Sequence, residues 1–151
     1  MGLFKRKAVL VSWVFVAVWA VVIFIGSATT GHDFDLGNGP FAFLKQLVAD
    51  MLSHVVGSPV DPSPIGHFGE YFVFGALLAN ALRFHMDTRR ALASAVALAA
   101  CYSITDEVHQ IFVPGRTFDL ADWVVDVVAA SLAAAIFLAV KRSGGSRGRL
   151  S

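Results

Sequence analysis

The sequence predicts an all-α, polytopic membrane protein with four transmembrane helices and one interfacial amphipathic helix. Three observations predict it. Hydrophobic residues make up 56% of the 151 positions and charged residues only 15%; the mean hydropathy of +0.67 is far above that of an ordinary soluble domain. The apolar residues are gathered into runs that can cross a hydrocarbon core, which takes about 20 helical residues. The basic residues fall on alternate connections, as the positive-inside rule requires of a multi-span chain.

Lys5, Arg6 and Lys7 precede Ala8 to Ile25, a run without an ionisable group that holds Trp13 and Trp19. A cleaved signal peptide shares that basic start and the small residues Gly26-Ser27-Ala28. Its apolar part usually runs to only about 7–15 residues, so 8–25 reads as an uncleaved first span. In the polar connection that follows, Phe41, Leu44, Leu47, Val48, Met51, Leu52 and Val55 recur at helical spacing. Pro40 suits the first turn of a helix over 41–57, and Gly57 with Pro59 suits its end. The opposite face carries Lys45, Gln46, Asp50, Ser53 and His54, so this helix lies in the interface rather than crossing.

The second span, 65–84, opens with His67 and Glu70 before turning apolar. The third, 91–112, carries Asp106-Glu107-Val108-His109-Gln110 toward its end, and Pro114-Gly115 stops it. The fourth covers 119–140, and 141–151 is a basic, Gly/Ser-rich tail expected to be disordered. With the N-terminus inside, the inner segments hold ten of the twelve basic residues, leaving Lys45 and Arg116 outside. Both termini are then cytoplasmic.

This topology gathers the chemistry of the chain at the outer level. His67, Glu70 and Tyr71 top the second span; Asp106, Glu107, His109 and Gln110 top the third. Arg116 lies in the turn, and Asp122 and Asp126 top the fourth. Spacings of three and four place each set on one helical face. Carboxylates in a span cost about 2.5–3.5 kcal/mol each at mid-membrane, less near the interface. Sharing one outward-facing polar pocket is the economical way to offset that cost.

Several function classes are absent. Cys101 is the only cysteine, so there is no intrachain disulfide and no CxxC site. No Gly-rich phosphate loop, solenoid repeat or basic-aromatic nucleic-acid surface occurs.

The segments HFGEYFVFG (His67 to Gly75), SITDEVHQIFVPGR (Ser103 to Arg116) and DLADWVVD (Asp119 to Asp126) resemble the signature blocks of the VanZ-like family of small bacterial membrane proteins. The likeness runs from about Ser27 to Val140. By position, the family's characteristic residues fall on His67, Tyr71, Asp106, Glu107, His109, Gln110, Arg116, Asp122 and Asp126. Ile65-Gly66 stand where members often carry Asp-Lys. The resemblance implies a multi-pass protein of the bacterial cytoplasmic membrane, and a link to glycopeptide resistance of the teicoplanin type.

The reading that asks least of these residues is a non-enzymatic envelope protein. Its pocket, with Arg116 for an anionic head group, binds or shields an envelope lipid or a peptidoglycan precursor. A second reading is a divalent metal held by His67, Glu70, Asp106 and His109, whose paired spacings are similar to helical-bundle metal sites; it would serve a membrane-embedded hydrolase acting on a lipid-linked substrate. A third is a proton-coupled transporter or lipid flippase using Glu70, Asp106 and Asp126, although the inner halves of the spans hold little that is polar beyond Asn80. A serine hydrolase built on Ser103 or Thr105 lacks a nucleophile-elbow sequence.

Overall fold

The computed structural model describes residues 2–28, 40–59 and 63–147. It contains α1 (Leu3–Ala28), α2 (Pro40–Val56), α3 (Ser63–Leu82), α4 (Thr88–Gln110) and α5 (Leu120–Arg147), with no strand among the described residues. The all-helical expectation holds, and each expected helix is present with its ends shifted by a few residues. One expectation is only partly met. Among the described residues three helices are long and apolar enough to cross a membrane, namely Leu3–Ala28, Thr88–Gln110 and Leu120–Arg142. The expected second span, now α3, is not among them, because His67, Glu70 and Asn80 dilute its apolar residues.

Helix α1 buries only Ser12, Val16, Ile23 and Ser27 and leaves Leu10, Val14, Phe15, Val18 and Val21 exposed. Water would not tolerate so long an apolar face, whereas lipid requires one. In α5 the division is equally clear: Ala129, Ala130, Ala133, Ala134 and Leu138 are buried, while Val124, Val128, Leu132, Ile136 and Val140, one turn apart, are exposed. Small side chains thus face the bundle and branched ones face outward, the arrangement expected where close packing rather than water expulsion holds helices together.

Contacts between the helices set their directions. Asn80 Nδ2 donates to Ser12 Oγ (3.0 Å) and Trp19 Nε1 to the Glu70 carbonyl (2.9 Å), so α1 and α3 are antiparallel. The Tyr102 hydroxyl donates to the Ala20 carbonyl (2.6 Å) and His109 stacks on Phe24, so α1 and α4 are parallel. Glu107 accepts the backbone N–H of Asp119 and, a turn back along α4, Ser103 donates to Asp126, further along α5, which makes α4 and α5 antiparallel; Trp123 Nε1 also donates to the Ala100 carbonyl (3.2 Å). Four helices therefore alternate in direction, and among the described residues α2 packs on α3.

Helices α3 and α5 approach closely at Gly75. A Cβ added at Gly75 would lie 2.6 Å from Ala130 Cα and closer still to its carbonyl oxygen. Only glycine lets the two backbones meet there.

At the other end of the bundle, Asp87 caps α4, its side chain accepting from the backbone N–H of Arg89 and Arg90. The Arg90 N–H, seconded by that of Arg89, holds the Asp87 carboxylate below its usual range. Because the shift is downward, the contribution of the cap is present above the unfolded-state pKa and fades as pH falls through the folded one. Asp87→Ala is therefore expected to lower thermal stability at neutral pH. The gap from wild type should close in acid, which unfolding midpoints across a pH series will show.

The disordered tail expected from 141 does not begin there. Helix α5 continues to Arg147, with Lys141 reaching back over the Phe137 ring at 5.7 Å, an i,i+4 contact that supports another turn.

Candidate functional site

Helix α4 exposes Cys101, Ile104, Thr105 and Val108, and buries Ser103, Asp106, Glu107 and Gln110. Positions 103, 106, 107 and 110 form one stripe at i, i+3, i+4 and i+7, so the helix turns its most polar side chains inward. His67 and Tyr71 on α3 and Asp126 on α5 are buried against them. Asp122, one turn earlier on α5, is partly exposed at the rim.

His67 lies between two carboxylates. Its Nδ1 is 3.3 Å from Asp126 Oδ1 and its Nε2 is 3.7 Å from Asp122 Oδ2. The Nδ1 pair is close but out of line, so neither atom counts as hydrogen-bonded. On its other oxygen Asp126 accepts the Ser103 hydroxyl at 2.6 Å, with both side chains fully buried. Glu107 Oε2 accepts the backbone N–H of Asp119 at 2.8 Å, and Glu107 Oε1 faces the Gln110 amide at 3.5 Å. These contacts tie the α4–α5 turn, with Gly115 at φ +82°, down onto the cluster.

Several buried polar atoms remain without a hydrogen-bond partner: both carboxylate oxygens of Asp106, the Tyr71 hydroxyl, His109 Nε2 and Arg116 Nε. The neighbouring donors are spent elsewhere. Ser27 lies beside Asp106 but donates to the Ile23 carbonyl (3.0 Å), and Ser103 lies beside Tyr71 but donates to Asp126. Buried polar groups are nearly always paired, so a set of such orphans in one place calls for a partner.

Of the residues singled out from the sequence, His67, Tyr71, Asp106, Glu107, Gln110 and Asp126 converge here and Asp122 borders them. Glu70 is partly buried beside Gly26 of α1, within electrostatic range of His67. His109 turns to the α1 side, its ring 4.3 Å from that of Phe24. Arg116 stands in the turn after α4 and forms none of the ion pairs seen at the cluster. The expected metal quartet shares only His67 with the donor set that the fold brings together: His67, Glu107 and Asp122 place one donor atom each within 4.8 Å of one another. Ser103, as the partner of Asp126, was missed. Its position three before Asp106 and four before Glu107 was the available signal.

The side chains at the centre of the cluster are almost wholly buried. A shallow depression of about 610 Å³ lies elsewhere, lined by Asp50, Ser53, His54, Gly57, Ser58 and Pro59.

A small all-helical protein of the membrane type, carrying a buried carboxylate–imidazole cluster where three helix ends meet, is the class that fold and site define. The chain belongs to the VanZ-like family: a family model described as VanZ/LLP1 matches residues 12–141. No curated protein and no solved structure matches it.

Proposed function

We propose that this protein is a four-span component of the bacterial cytoplasmic membrane, with both termini cytoplasmic and the polar cluster at the outer end. There it binds or shields the head group of an envelope lipid or peptidoglycan precursor, and so contributes to glycopeptide tolerance of the teicoplanin type. The observation that carries this reading is the set of orphaned buried groups, Asp106 above all, joined to a half-buried Arg116 whose Nε has no partner. A bound head group would supply both the missing donors and the missing anion.

Two features support the topology. Alternating helix directions put the ends of α1 and α4 beside the starts of α3 and α5, so the cluster occupies one end of the bundle. Lys5, Arg6, Lys7, Arg83, Arg89 and Arg90 lie at the other, as cytoplasmic residues should. A helix as packed as α3 can cross without being apolar by itself, because its polar residues meet protein rather than lipid.

The experiment is complementation in a sensitive bacterial host. Asp106→Ala and Arg116→Ala are expected to abolish the gain in teicoplanin tolerance that the wild-type chain confers while leaving its membrane level unchanged. Retained tolerance in both variants removes the cluster from the account. Single cysteines at Phe118 and Arg89, in a Cys101→Ser background, should label from opposite faces in intact cells, and labelling from the same face overturns the topology.

A further inference from the structure

We propose that His67, Glu107 and Asp122 form a binding site for a divalent first-row transition cation, and that Asp126 and Ser103 are its positioning residues. The three donors come from three helices, α3, α4 and α5, and their ligand atoms already lie within 4.8 Å of one another. Metal–ligand bonds of about 2.0–2.2 Å put neighbouring donors roughly 3–3.5 Å apart around a tetrahedral ion. His67 Nε2 and Asp122 Oδ2, at 3.7 Å, are near that spacing, and Glu107 brings a carboxylate oxygen within 4.8 Å of a donor atom on each.

The second observation concerns the far side of the imidazole. A histidine that ligates through one ring nitrogen almost always presents the other to a carboxylate, which sets its tautomer and orientation. Here Nδ1 faces Asp126 Oδ1 at 3.3 Å, and both atoms are buried without any other partner. Asp126 is in turn fixed by the Ser103 hydroxyl at 2.6 Å. The chain Ser103, Asp126, His67 thus ends on the nitrogen that faces Asp122. Packing alone does not require this order, in which a fully buried carboxylate spends one oxygen on a hydroxyl and turns the other to a ring.

Charge supplies a further reason. Asp106, Glu107, Asp122 and Asp126 together would repel the anionic head group of the proposed function, on which this part of the inference rests; a divalent cation reverses the sign of the local field. With three protein ligands one position stays open, and an anionic oxygen of the phosphate class would complete it. One imidazole with two carboxylates, and no thiolate, suits Mn, Fe or Zn better than Ca or Mg.

The test uses the full-length chain in detergent, stripped with chelator and titrated with Zn²⁺ and Mn²⁺ by calorimetry, and with Co²⁺ by its visible absorption. Saturable stoichiometric binding is expected, lost in Glu107→Gln and His67→Gln and weakened about 10–100-fold in Asp126→Asn. His109→Ala, which would abolish binding at a His67, Glu70, Asp106, His109 quartet, should leave the affinity unchanged. Absence of saturable binding by the wild-type chain overturns the proposal whatever the variants do, as does equal binding by Glu107→Gln. Binding lost in His109→Ala moves the site to the quartet and overturns this assignment. A chain that confers tolerance insensitive to Asp106 and Arg116 but binds metal as described sinks the head-group reading alone, and tolerance without metal binding sinks the metal site alone.

Discussion

Gly75→Ala is expected to separate α3 from α5 and to be strongly destabilising. The added Cβ would meet the Cα, carbonyl carbon and carbonyl oxygen of Ala130. Inserting a methylene into a packed core costs about 1–3 kcal/mol where side chains can rotate aside. These neighbours are backbone and cannot, so relief requires shifting a helix, and the cost should reach the upper end of that range or exceed it. The same movement would pull His67 on α3 away from Asp122 and Asp126 on α5, so packing and site fail together. Thermal unfolding in detergent, with disulfide crosslinking between cysteines placed on α3 and α5, reads both effects. A wild-type midpoint with unchanged crosslinking would show that the helices do not approach as described.

His67→Leu should be nearly as costly, for a different reason. It removes the imidazole between Asp122 and Asp126 while preserving much of the volume, and leaves the fully buried Asp126 with the Ser103 hydroxyl as its hydrogen-bond partner among the described residues. Removing one partner of a buried polar pair strands the other at a cost of about 1–3 kcal/mol, more for a charged group, whereas replacing both with apolar groups of similar shape can be nearly neutral or stabilising. Combining His67→Leu with Asp126→Leu should therefore recover most of the lost stability without restoring function. Unfolding midpoints of the two single variants and the double variant form the cycle that measures this. Additive losses would mean that the two residues do not interact; a double variant that keeps full tolerance would make the pair purely structural.

Helices were legible because their signals are local. Pro40 opens α2 and the run after Lys7 lies within α1, as propensity and periodicity require. The acidic and imidazole residues of three separated segments were expected to meet, since buried charge must be compensated, and His67, Glu107 and Asp122, one from each, lie together. Spacing could not say which flank of a helix each residue would occupy. Asp106 and His109 are three residues apart, which at about 100° per residue leaves them some 60° out of line. That is enough for Asp106 to point into the bundle while His109 stacks on Phe24 of α1.

By itself, then, the amino-acid order determined that this chain is helical, apolar enough for a bilayer and polar in a few dispersed segments, because these properties follow from residues close along the chain. Tertiary structure alone decided which donors stand face to face: Glu107 rather than Glu70 or His109 beside His67 and Asp122, and Ser103 beneath Asp126. The rotation of each helix about its own axis is set by how tightly neighbours can pack, and the meeting of Gly75 with Ala130 is a contact between residues far apart in sequence that no local pattern encodes.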